Sequence, residues 1–132
     1  MRAFGAVLMI ACLSAVGCGD SAEERDTAAV AERFNAAVDQ GDGRAACELL
    51  STTTKGAIER QEKAPCGEAI LRLDLPRGAT AEKSRVYLRS ASVDLAGGGV
   101  TFLNEGPSGW RISAAGCTLS EPDRPYECEL EG

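Results

Sequence analysis

The chain has 132 residues, with 14 Lys and Arg against 20 Asp and Glu, no histidine and a formal net charge of -6. An acidic balance with basic side chains interleaved among acids excludes a nucleic-acid partner, which needs a basic stripe. The lack of histidine excludes a Ser-His-acid triad and any zinc site that needs imidazole.

After the single positive charge of Arg2, residues 3–17 are apolar or small throughout. About 15 such residues fall short of the roughly 18 that read as a spanning helix, so the segment is expected to be a removable export signal. Ala15-Val16-Gly17-Cys18 resembles the lipobox of bacterial lipoproteins. That resemblance implies cleavage before Cys18 and acylation, palmitate among the chains, at the new N-terminus. Plain secretion is the alternative, with Ala15-Val16-Gly17 serving as a small-residue cleavage site. Cysteine parity favours lipidation. Cys12 leaves with the signal, so Cys18, Cys47, Cys66, Cys117 and Cys128 remain, and an acylated Cys18 leaves four thiols to pair. The signal also removes Arg2, leaving 13 basic and 20 acidic side chains. Anionic headgroups would repel such a body, and attachment falls to the acyl chains.

Residues 18–26 read as the lipidated cysteine with a small, acidic tether, and residues 27–132 as one domain. From Thr27 onward, Val30, Phe34, Ala37 and Val38 recur at helical spacing, with Asp26 or Thr27 as cap and Gly41 at the end. Asp42 then caps a second helix with Ala46, Leu49 and Leu50 on its apolar side. Residues 51–54 end it and cap a third, short helix containing Ala57 and Ile58. After Pro65, residues 66–73 resume a helical face of Ala69, Ile70 and Leu73, and residues 75–78 close the helical half.

Residues 84–95 have strand composition, but the apolar set shifts phase from Val86 and Leu88 to Ala91, Val93 and Leu95. That shift predicts a bulge near Arg89-Ser90. Gly97-Gly98-Gly99 predicts a hairpin turn, residues 100–103 a strand, and residues 105–109 a second turn. Residues 110–115 read as a strand with Trp110, Ile112 and Ala114 on one face. Tyr126, Cys128 and Leu130 alternate with Glu127, Glu129 and Glu131, the pattern of an edge strand whose acidic side meets water.

Helices followed by an antiparallel meander define an α+β domain whose sheet packs on its own helices. Four cysteines permit three pairings. Cys47 with Cys66 and Cys117 with Cys128 is the expected set, because each pair brackets a short segment between regular elements. Phe34, Val38, Gly41-Asp42 and Ala46, with Ala91-x-Val93 and Gly109-Trp110-Arg111-Ile112, resemble the framework of NTF2-like (cystatin-like, SnoaL-like) domains over residues 27–119. The ending Ala114-Ala115-Gly116-Cys117 with Pro125-Tyr126-Glu127-Cys128 resembles small lipoproteins of high-GC Gram-positive bacteria. The family resemblance implies a sheet bent against helices into a cone. Its candidate lining residues are Phe34, Leu73, Tyr87, Phe102 and Trp110.

Some NTF2-like domains are isomerases, cyclases or dehydratases. A steroid-isomerase type of site needs a carboxylate base and an oxyanion donor inside an apolar cavity. Tyr87 and Tyr126, with Asp74, Asp94 and Glu105, are the available groups, and none matches the family's catalytic motif. A Ser-Lys dyad would draw on Lys55, Lys63 or Lys83, all in polar surroundings. Gly97-Gly98-Gly99 precedes a strand and offers no helix N-terminus to an anion. Residues 39–43 begin like a calcium loop, yet Leu50 occupies the twelfth position where a glutamate belongs.

The sequence therefore predicts no catalytic residue, no metal ligand and no cofactor. It predicts a lipid-anchored interaction module on the outer face of the bacterial cytoplasmic membrane. Its partners would be the membrane through Cys18 and an envelope protein or a small ligand in the cone. An acid-base isomerase or cyclase is the remaining alternative.

Overall fold

A computed structural model of the chain describes residues 21–132. The expected export signal, the expected lipobox and Cys18 lie outside the described residues.

Ser21 opens α1 (Ala22–Asp39) through a capping box. Its Oγ accepts from the Glu24 amide at 3.1 Å, and the Glu24 carboxylate accepts from the Ser21 amide at 2.8 Å. The helix thus starts ahead of the expected caps, Asp26 and Thr27, and takes in residues 22–26 of the expected tether. The cause is local. Ser-x-x-Glu satisfies two amides that a helix start leaves without partners, and Glu23 and Glu24 complement the positive end of the helix dipole. Val30, Phe34, Ala37 and Val38 are buried, as their spacing predicts. At the far end Gly41 takes φ +73°, while its amide bonds Val38 O at 3.1 Å and the Asp42 amide bonds Ala37 O at 2.9 Å. That pair of bonds is a Schellman ending.

The carboxylate of Asp42 accepts from the Ala45 amide at 3.0 Å and starts α2 (Gly43–Glu48). Ser51 does the same for Thr54 at 3.1 Å and starts α3 (Thr52–Glu62). A single turn, α4 (Cys66–Ala69), runs on into a 3-10 turn at Ile70–Arg72. Gly43 and Gly67 bring α2 and α4 so close that a Cβ on Gly43 would overlap the Gly67 carbonyl. This approach sets Cys47 opposite Cys66, and the two form a disulfide with their Cα atoms 6.1 Å apart.

Five antiparallel strands follow as a meander in chain order: β1 (Ala81–Tyr87), β2 (Ser90–Leu95), β3 (Val100–Gly106), β4 (Gly109–Thr118) and β5 (Glu127–Glu131). Residues 84–95 are not one bulged strand. Tyr87 pairs with Ser90, and Leu88-Arg89 is a two-residue turn with Leu88 at φ +55°. The phase shift in the sequence is that turn, made without the glycine or asparagine that normally marks one. β5 is an edge strand with Glu127, Glu129 and Glu131 exposed and Leu130 buried. Cys117 and Cys128 pair across β4 and β5 and form the second disulfide.

The inner face of the sheet brings Ala91, Val93, Leu95, Leu103, Trp110, Ile112, Ala115 and Leu130 into one core with Val30, Phe34, Val38, Ile58 and Ile70 of the helical half. Ala114 leaves that face. Two register shifts between β3 and β4, on either side of Phe102, place it with Val100, Phe102 and Cys117 in a second cluster. Phe102 and Leu103 are successive strand residues, so the second cluster lies on the side of the sheet away from the helices. The link between α2 and α3 extends the edge beside β5. There the Ile112 amide donates to Leu49 O and the Ser51 amide donates to Ile112 O, both at 2.9 Å.

Candidate functional site

The five candidate lining residues do not line one cavity. Phe34 is fully buried and Trp110 is 8% exposed, both inside the main core. Leu73 packs at the margin of that core. Phe102 sits on the opposite side of the sheet, in the second cluster. Tyr87 is 79% exposed. The space a cone would enclose is occupied by Phe34, Val38, Val93, Leu103 and Ile112, all without solvent exposure. Two polar atoms share this interior without a hydrogen-bond partner among the described residues, Asn35 Oδ1 and Thr101 Oγ1. The amide nitrogen of Asn35 is satisfied, donating to Ala79 O at 3.1 Å.

The groups weighed for proton transfer lie at the surface. Asp94 Oδ2 is 2.8 Å from Arg85 Nη1. Hydrogen bonding to Asp94, and then its negative charge, raises the Arg85 guanidinium above its ordinary pKa. Glu105 stands 3.9 Å from Arg89 Nε, and Asp74 is exposed. Lys55, Lys63 and Lys83 are exposed as well. Among the described residues, no group of three or more Cys, Asp or Glu side chains could hold a metal ion.

The outer face of the sheet offers the better-formed binding geometry. Strand alternation turns Arg85, Ser90, Ser92, Asp94, Phe102 and Asn104 away from the helices. Small side chains at Ser90 and Ala114 leave a groove of about 430 Å³ between them and the final loop, lined also by Phe102, Asn104, Tyr126 and Cys128. Its aromatic wall is an edge-to-face pair, Phe102 against Tyr126, with ring centroids 5.1 Å apart and planes at 74°. Ser90 Oγ donates to Asn104 Oδ1 at 3.2 Å. The Cys117–Cys128 bridge holds the strand that follows Tyr126, so the ring is carried on a fixed base. Such a groove can bind by stacking and by hydroxyl and amide hydrogen bonds. It brings together no nucleophile and base.

A second hollow of about 590 Å³ lies between residues 97–99 and β5, walled by Asp74, Glu127 and Glu129. Sequence reasoning missed two features of this surface. Tyr126 reaches Phe102 edge to face from an irregular loop, a contact that no periodicity encodes. Leu88, 78% exposed, projects with Tyr87 from the β1–β2 turn. Its signal was the phase shift at residues 88–90.

No protein-family model, no curated protein and no solved structure matches the chain.

Proposed function

We propose that the protein is a lipid-anchored binding module of the bacterial cell envelope, held through Cys18 at the outer face of the cytoplasmic membrane and built on an NTF2-like framework. The observation that carries the binding role is the contrast between the two sides of the sheet. The inner side is closed by Phe34, Leu103 and Ile112, while the outer side leaves the Phe102–Tyr126 groove open. The partner engages that groove. A catalytic role is disfavoured because Tyr87, Tyr126, Asp94 and Glu105 stand at the surface, outside the apolar cavity that an acid-base site of this type needs. A small ligand inside the cone would have to displace fully buried side chains.

The NTF2-like reading draws support from the order of elements and from Trp110 opening a core strand. The anchor draws support from cysteine parity. Cys47, Cys66, Cys117 and Cys128 pair among themselves, which leaves Cys18 unmatched in a processed chain.

Intact-mass analysis and detergent-phase partitioning test the anchor. The native chain should carry acyl mass and enter the detergent phase, whereas Cys18→Ser should remain exported and aqueous. Unchanged partitioning of the variant rejects Cys18 as the anchor. The groove is tested by placing a photo-crosslinking side chain at position 126 or, as a control, at position 60 on α3. Adducts specific to position 126 are expected in intact cells, and identical patterns at the two positions reject the groove.

A further inference from the structure

We propose that the β1–β2 turn, Tyr87-Leu88, is a second membrane contact that rests on the phospholipid surface beside the acylated Cys18 and fixes which way the domain faces. The inference rests on the lipidation of Cys18 proposed above.

The argument starts from the turn itself. Tyr87 and Leu88 are the two most exposed large apolar side chains among the described residues. Leu88 also holds φ +55°, a backbone setting that favours glycine or asparagine. A leucine here gains almost no burial and works against its own backbone. Such a residue is explained by something it touches outside the fold.

The geometry says what that is. α1 runs antiparallel to β1. Thr27 shares a 2.6 Å hydrogen bond with Ser84, Glu32 accepts from the Ala81 amide at 2.8 Å, and Asn35 reaches Ala79. Ser21 lies six residues before Thr27, about 9 Å along the helix axis, and Tyr87 closes β1 three strand residues beyond Ser84, about 10 Å, with Leu88 in the turn past it. The start of α1 and the turn therefore share one end of the molecule, with Leu88 beyond the level of Ser21.

Because the capped helix begins at Ser21, only Gly19 and Asp20 separate it from Cys18. The Cα atoms of Cys18 and Ser21 can be no more than about 11 Å apart. A domain on so short a leash cannot stand clear of the headgroups. Glu23 and Asp26 at the start of α1 oppose close approach of the helix to an anionic surface, so the contact falls to the projecting turn. Its composition suits an interface. A tyrosine and a leucine are flanked by Arg85 and Arg89, which pair with Asp94 and Glu105 yet keep their side chains more than half exposed, so that a phosphate can share them.

The test uses the full acylated chain in vesicles of phosphatidylethanolamine and phosphatidylglycerol with brominated acyl chains. Tyr87→Trp places a reporter at the turn. Trp110, buried in the core, supplies a shielded background, and Leu119→Trp at the far end of β4 is the control. Bromolipid quenching of the added tryptophan should be several-fold stronger at position 87 than at position 119. Leu88→Asp in the Tyr87→Trp chain should lower it to the control level without changing the vesicle-bound fraction, which the acyl chains maintain. Equal quenching at 87 and 119 in vesicle-bound protein overturns this inference and leaves the anchor standing. Failure of the chain to acquire acyl mass or to float with vesicles overturns both. Shielding of position 87 that grows with protein concentration without lipid assigns the turn to a second copy of the chain, and also overturns it.

Discussion

Phe34→Ala separates a filled interior from a ligand cavity. The ring is fully buried on α1, in the core that also holds Leu103 and Ile112. Its removal leaves roughly 100 Å³ empty, and at about 24 cal/mol per Å³ the cavity alone costs about 2.4 kcal/mol. The lost transfer free energy adds about 2 kcal/mol, so a total loss of about 4 kcal/mol is expected after partial relaxation. A domain of this size has roughly 5–10 kcal/mol to lose, and the variant should stay folded but weakly so. Urea unfolding followed by circular dichroism should show the midpoint falling by about 2–3 M at a slope near 1.5 kcal/mol/M. Tyr126→Ala, in the open groove, should cost less than about 1 kcal/mol by the same assay. A loss below about 1 kcal/mol for Phe34→Ala would mean that its ring borders open space, and would refute the filled interior.

Four further outcomes are expected from the same measurement. Replacing Cys47 and Cys66 together by alanine should cost about 3 kcal/mol, because their bridge closes a loop of 19 residues in the unfolded chain. Thr101→Val keeps the branched shape and removes a buried hydroxyl that has no partner among the described residues, so stability should rise by about 1 kcal/mol. Ser21→Ala should cost about 1 kcal/mol by undoing the capping box, with hydrogen exchange quickening in the first turn of α1 and nowhere else. Leu88→Asn should gain roughly 0.5–1 kcal/mol, since asparagine tolerates the positive φ that leucine resists.

Much of the α+β plan was legible because short-range chemistry dictates it. Gly41 and Asp42 mark one helix end and the next start with side-chain and backbone devices that need no tertiary context. The cysteine pairs were readable from spacing, and Gly43 and Gly67 show why the first pair can meet. The misreadings share a cause, which is that local composition was masked by an unusual job. Residues 22–26 are acidic because a first helical turn outside the core is solvated, and the Ser-x-x-Glu signature that starts at Ser21 outweighs that composition. Leu88-Arg89 lacks turn residues, so a reversal looked like a bulge. Phe102 and Ala114 are expected on the inner side and lie on the outer one, because two register shifts between β3 and β4 break the alternation on which such assignments depend. The groove depends on Tyr126 arriving from a loop, and loops carry no period to extrapolate.

Both bridges join cysteines that are consecutive among the four, 19 and 11 positions apart. If the chain is threaded N-terminus first into an oxidising space with Cys18 acylated, as proposed above, Cys66 reaches Cys47 before Cys117 has emerged. Order of arrival among the four free thiols then selects the native partners, and an oxidase working on the incoming chain creates no mispaired link that an isomerase would later have to undo.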